Sequence, residues 1–178
     1  LTSGTVSTSI HGAKVSQTIG VGVTAKSMHV DNDELQRITM TGGLSFGSAT
    51  GGDLTAVGVT ATGSNTVSEI LTITSTGDDH QVVFDTTTST FNRLAAQADN
   101  GVVVKADVTT DVGGLYLDGD GENSSSQDGT NTVGFTDGRT VSAETVLTLE
   151  ASTGNDTGAR AGIINAGLVT LNAGTGIT

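Results

Sequence analysis

Five short apolar-and-threonine segments start eleven residues apart, at Leu71, Val82, Arg93, Val104 and Leu115. From those positions the chain reads LTITSTGDDHQ, VVFDTTTSTFN, RLAAQADNGVV, VKADVTTDVGG and LYLDGDGENSS. Each block opens as a strand would and closes in residues that turn. A fixed short period favours stacked strands over a closed globule. It predicts an all-β chain: a β-solenoid (parallel β-helix) with rungs built from eleven-residue strand-turn units. An eleven-residue period also suits a right-handed coiled coil. The blocks are too rich in Thr, Gly, Asp and Asn, all poor helix formers, for that. The alternative is a β-sandwich filament subunit, which needs no such period.

Composition agrees with a thin core. The 178 residues include no Trp, no Pro, no Cys, one Tyr and four Phe, with 26 Gly. Apolar residues make up 34%, below the usual globular share. Low hydrophobicity with high charge can signal disorder, but here Val, Ile and Leu alternate with Thr, a pattern that suits a pleated surface. A sandwich of this length would normally carry larger buried side chains. Lack of Pro keeps every backbone N–H available for strand ladders.

The pattern divides the chain into an N-terminal β-rich segment, 1–53, and solenoid repeats, 54–178, interrupted by an acidic loop insertion at 118–131. VDNDELQR at 30–37 reads as a loop, with a single helical turn as the alternative. STFNRLAAQAD at 89–99 carries some helix propensity inside the repeat series. No amphipathic capping helix is evident. LTITSTG at 71–77, LTLEASTG at 147–154 and VTLNAGTG at 169–176 look like copies of one unit. Leu147 and Val169 stand twice eleven residues apart, which suggests two strands per rung and leaves three open.

GGLYLDGDGENSSSQDGTNTVGFTDGRTVSAETVLTLEASTG, with the trailing LVTLNAGTGIT, resembles the Thr/Gly/Asp-rich β-solenoid repeats of very large bacterial surface proteins. These are the filamentous-haemagglutinin and autotransporter-adhesin passengers. The resemblance spans residues 54–178 and rests on recurring phrases. It implies an exported, elongated, non-enzymatic protein of adhesion, envelope or filament function. The chain departs from that pattern in carrying no secretion domain or export signal. It begins with Leu1, as a processed or excerpted piece of a longer precursor would.

The acidic loop is the sharpest candidate for chemistry. Asp118, Asp120, Glu122 and Asp128 lie on a Gly-bearing, apolar-free stretch, and calcium prefers such oxygen donors. The EF-hand itself is excluded, because its sixth and twelfth positions are Asn123 and Gly129. A plain solvated loop is the competing reading. Asp78–Asp79 and the group Asp31, Asp33 and Glu34 read as solvated turns. His11, His29 and His80 are far apart and suggest neither a metal nor a catalytic set. A carbohydrate-active β-helix would draw on Asp107, Asp111, Asp118 and Asp120 as its carboxylates. Tyr116 would then be its only aromatic platform of that type. Asn123 and Asn155 stand in N-glycosylation acceptor patterns.

The formal charge of −12 speaks against nucleic acid and anionic membranes as partners. No apolar run is long enough to span a bilayer. With the repeats, the resemblance implies a non-catalytic structural or adhesive protein of a bacterial or archaeal cell surface or extracellular filament. Its expected partners are copies of itself, stacked end to end or laterally, with glycans or a host or neighbouring cell surface as adhesive targets. A pilus-like subunit completed by donor-strand exchange, and a polysaccharide-binding or -degrading β-helix, are the alternatives.

Overall fold

The computed structural model describes residues 1–121, 130–151, 161–165 and 167–178. The chain opens with β1 (Thr2–Ser3), β2 (Thr8–Ile10), β3 (Ile19–Gly22) and β4 (Met28–Val30), followed by the helix α1 (Asn32–Gln36). Next come β5 (Thr39–Met40), β6 (Leu44–Gly47), β7 (Leu54–Val57) and the helix α2 (Ala61–Ser64). From there the chain is strands alone. They are β8 (Leu71–Ser75), β9 (Val82–Phe84), β10 (Ser89–Phe91), β11 (Leu94–Ala98), β12 (Val102–Val104) and β13 (Val108–Thr110). Then follow β14 (Leu115–Asp118), β15 (Asn131–Phe135), β16 (Arg139–Ala143), β17 (Val146–Glu150), β18 (Ala161–Asn165), β19 (Val169–Ala173) and β20 (Gly176–Ile177).

The fold is all-β and its sheets are parallel. A first sheet has the order β2-β6-β8-β11-β14-β17-β20, a second the order β18-β15-β12-β9-β7-β3-β4, and a third the order β10-β13-β16-β19. β1 pairs with β5 alone. From β8 onward the chain visits first, second and third sheet in that order, again and again. The expected boundary between residues 53 and 54 falls just before β7, which pairs with β3 on one side and β9 on the other.

The register corrects the eleven-residue unit. Leu71 pairs with Leu94, and Leu94 with Leu115, so one circuit takes twenty-three and then twenty-one residues. Three strands fill each circuit. Leu71, Val82 and Leu115 do begin strands, but Arg93 precedes β11 and Val104 ends β12. β10 and β13 fall between the expected starts. A third strand fits because the strands are only three to five residues long and the corners are short.

Burial follows the pleat. β8 and β11 alternate buried and half-buried along their whole length, as strands with one face on a core do. Stacking then turns single inward residues into columns. Leu44, Leu71, Leu94, Leu115 and Leu147 stand in one register, and none is more than 2% exposed. Each such burial is worth roughly 1.5–3 kcal/mol. Aromatic side chains join the columns too, with Phe46 in register between Ile10 and Ile73. Phe84 pairs in register with Ala56 on one side and meets Phe91 edge-on at 6.5 Å.

Two short helices break the strand pattern early in the chain. VDNDELQR forms α1 where the sequence suggested a loop. Glu34 N–H donates to Asp31 Oδ1 at 2.7 Å and Asp31 N–H to Glu34 Oε2 at 3.1 Å, a reciprocal cap. The helix follows β4, the outermost strand of the second sheet, and its Leu35 is fully buried in the core. α1 stacks on α2, which packs on β10, so the two helices continue the third face of the core where strands would otherwise stand. Asn32 ties it down, accepting from Thr60 N–H at 2.9 Å and donating to Gly58 O at 3.0 Å. The segment 89–99, with its helix propensity, is strand in β10 and β11: tertiary pairing outweighs a weak local preference.

Candidate functional site

The acidic insertion is shorter at both ends than expected, since Asp118 closes β14 and Asn131 opens β15. Asp118 is 4% exposed and Asp120 is fully buried. Asp118 Oδ1 accepts from Asp120 N–H at 3.1 Å, and its Oδ2 accepts from the Tyr116 hydroxyl at 2.9 Å. Glu122, Asp128 and the glycosylation candidates Asn123 and Asn155 lie outside the described residues. Among the described residues no three or more His, Asp or Glu side chains gather as a metal ion would require.

Parallel register instead brings Asp118 beside Glu150 on the next strand. Tyr116 Oη lies 2.6 Å from Glu150 Oε2, so two carboxylates converge on one phenol. Burial raises the Tyr116 pKa above that of an ordinary tyrosine, and its hydrogen bonds to Glu150 and Asp118 and their charges add to the shift. The phenol stays protonated and ties β14 to β17.

The other carboxylates proposed for sugar chemistry are not gathered with these. Asp107 accepts from Thr140 N–H at 2.8 Å and lies 3.9 Å from Arg139 Nη1, steadying β16. Asp111 follows β13, an interior strand of the third sheet. Asp31 and Glu34 cap α1, and Asp79 N–H donates to Asp99 Oδ2 at 2.7 Å. His11 is exposed, and His29 contacts Gly22 O through Nε2 at 2.8 Å.

His80 holds a constellation that sequence spacing does not reveal. Its Nδ1 lies 3.2 Å from Asp53 Oδ1, and its Nε2 lies 3.3 Å from Ser16 Oγ. The three residues come from three successive turns between the first and second sheets. Ser16 precedes β3, Asp53 precedes β7 and His80 precedes β9. The strands that follow are hydrogen-bonded neighbours, with Ile19 N–H donating to Asp53 O and Leu54 N–H to Gln81 O, both at 3.0 Å. Stacking of the turns brings together residues up to 64 positions apart.

Each member is fixed by its own backbone. Ser16 N–H donates to Thr50 O at 2.9 Å, and His80 N–H donates to Gly77 O at 3.1 Å. Asp53 Oδ1 also accepts from Gln81 N–H at 3.0 Å. Ser16 has φ of 54°, a left-handed conformation that costs a non-glycine residue on the order of 1 kcal/mol. The serine is exposed, and the side chains of His80 and Asp53 are 25% and 51% accessible. A hollow beside Ser16 and His80 is walled by Val15, Ala49, Thr50, Gly51, Gly77 and Asp78.

Comparison with known proteins adds no family to this picture: no family model, no curated protein and no solved structure matches the chain.

Proposed function

We propose that the chain is a β-solenoid module of a structural or adhesive filament at the cell surface or outside the cell, and that it works by stacking parallel strands onto a second copy. One observation carries this reading. The inward columns run out on an uncovered layer. Val133, Val141 and Leu147 are buried, yet their register partners Ile163 and Ile177 are 49% and 50% exposed, and Leu171 is only partly buried. Three apolar side chains thus sit at core positions with no layer beyond them among the described residues.

A further set of parallel strands would bury those three and satisfy the open edges of β18, β19 and β20. A second copy has matching edges to offer for two of the three sheets, because the first sheet ends at β2 and the second at β4 on the opposite side, while β10 of the third is backed by α2. Contact between unlike ends does not close on itself and grows into a rod. All strand pairs among the described residues are parallel, which disfavours the antiparallel sandwich of the donor-strand alternative. The resemblance to repeats of bacterial surface proteins supports the location and the adhesive role. Such a role requires no catalytic group. Calcium on the 118–131 segment belongs to the proposal as a stabiliser of the insertion and not of the stack.

Sedimentation velocity of wild type and Leu171→Asp over a range of concentration, with and without a calcium chelator, tests the reading. Wild type should grow into large species and the variant should stay a single chain. A wild type that stays monomeric throughout contradicts self-assembly, and assembly indifferent to the substitution contradicts the assigned end.

A further inference from the structure

We infer that Ser16, His80 and Asp53 form a nucleophilic relay that hydrolyses short, uncharged carboxylic esters on the side of the stack. This activity is separate from assembly, since all three residues come from one chain and none lies in β18, β19 or β20.

The order of contacts is the one that ester hydrolysis needs. Asp53 accepts the Nδ1 proton of His80 at 3.2 Å, which leaves Nε2 as the basic nitrogen. That nitrogen faces Ser16 Oγ at 3.3 Å, from which it can take a proton. Both distances are long for hydrogen bonds, as is common before substrate enters. Asp53 is itself held by Gln81 N–H, so its carboxylate acts as a fixed positioning group for the ring. The exposed Ser16 hydroxyl borders the hollow between the turns.

The chemistry balances without any further reagent than water. Ser16 Oγ adds to the ester carbonyl carbon while His80 Nε2 accepts the hydroxyl proton. The C–O bond to the alcohol then breaks, and the alcohol leaves with that proton. Water adds to the acyl-Ser16 carbonyl, giving a proton to His80. The Oγ–acyl bond breaks, the acid departs, and the proton returns to Ser16.

The surroundings narrow the substrate. Asp78 lines the hollow, Asp53 adjoins it and the chain carries a formal −12, so anionic esters are repelled. The hollow is small and bounded by Val15, Ala49 and glycines, which suits an acetyl-sized acyl group. Several amides near the serine are already engaged: Ser16 N–H with Thr50 O, Gly51 N–H with Ser48 O and Gly52 N–H with Gln17 O. Such sparse provision favours esters with good leaving groups over amides.

The test uses the full chain with 4-nitrophenyl acetate as substrate and a fluorophosphonate probe as a covalent reporter. Ser16→Gly removes the nucleophile and also suits the positive φ, so it should fold at least as well as wild type. Expected are a phosphonyl adduct on the Ser16 peptide and losses of about 100-fold in turnover for Ser16→Gly and His80→Gln. Asp53→Asn should lower kcat about 10-fold with KM unchanged, because a half-exposed carboxylate orients the ring less firmly than a buried one. Absence of the adduct, or equal turnover in wild type and folded Ser16→Gly, would overturn the relay.

Discussion

The two ends of the sheet stack are built from the same kind of residue and finished differently. Beside β3, the strand β4 and helix α1 supply Val30 and Leu35, and Ile38 and Met40 follow; none is more than 7% exposed. At the other end Ile163 and Ile177 are about half exposed, while Met28 and Thr8, which end the same two columns at the first end, are partly buried. The apolar columns alone do not decide burial. What decides it is whether a further layer lies over the column. At the first end β4 lies over β3 and α1 stacks on α2, while at the second no layer follows β18, β19 and β20 among the described residues. An uncovered layer with open strand edges invites a partner.

The sharpest way to break this comparison is to compare interior with end. Leu94→Ala, in the middle of the five-leucine column, should lose about 2–5 kcal/mol by chemical denaturation, because a filled layer on either side prevents collapse into the space. Leu35→Ala at the α1 end should cost about 2–4 kcal/mol, while Ile177→Ala in a single chain should cost under about 1 kcal/mol. Equal losses at the two ends would show that they are not finished differently. Asp31→Ala should cost about 1 kcal/mol by removing the cap of α1, with faster hydrogen exchange confined to that end.

The smallest effect concerns Tyr116. Its pKa is raised on folding, so the folded chain keeps a proton that the unfolded chain loses above a pH of about 10. Its contribution is therefore full below that pH and lost as pH rises further. Tyr116→Phe should flatten the alkaline fall of stability seen in pH-dependent melting. An unchanged alkaline limb would remove the phenol from the tie between β14 and β17.

Much of the fold was legible because alternation and β-branched content report directly on a half-buried pleat. Leu71, Val82 and Leu115 begin strands, as their run of apolar and threonine residues implies. The interval between them was misread because two circuits of nearly twenty-two residues look like four steps of eleven. Nothing in SerThrPhe at 89–91 or ValThrThr at 108–110 marks them as a separate third face until pairing is known. At 30–37 a loop stood ahead of a helical turn because five residues are too short for a helical period to show, and only the Asp31–Glu34 spacing hints at a cap.

The sites follow the same logic. Asp118 was singled out as a loop ligand, but its strand register places it against Glu150 and Tyr116. Glu150 carries no signal of its own in the sequence, since its partner is 34 residues from it. Ser16, Asp53 and His80 follow no motif either. Their proximity comes from the stacking of three turns, with Ser16 and Asp53 37 residues apart and Asp53 and His80 27 apart, so no fixed spacing encodes it. A parallel stack in this way converts distant sequence positions into neighbours along one edge.

Cryo-electron microscopy of the assembled wild-type chain tests the central claim most directly. The account predicts rods in which parallel strands continue at about 4.8 Å spacing across each junction, with Ile163, Leu171 and Ile177 buried under the next copy. Discrete single-chain particles at every concentration, or junctions formed through the α1 end alone, would contradict it.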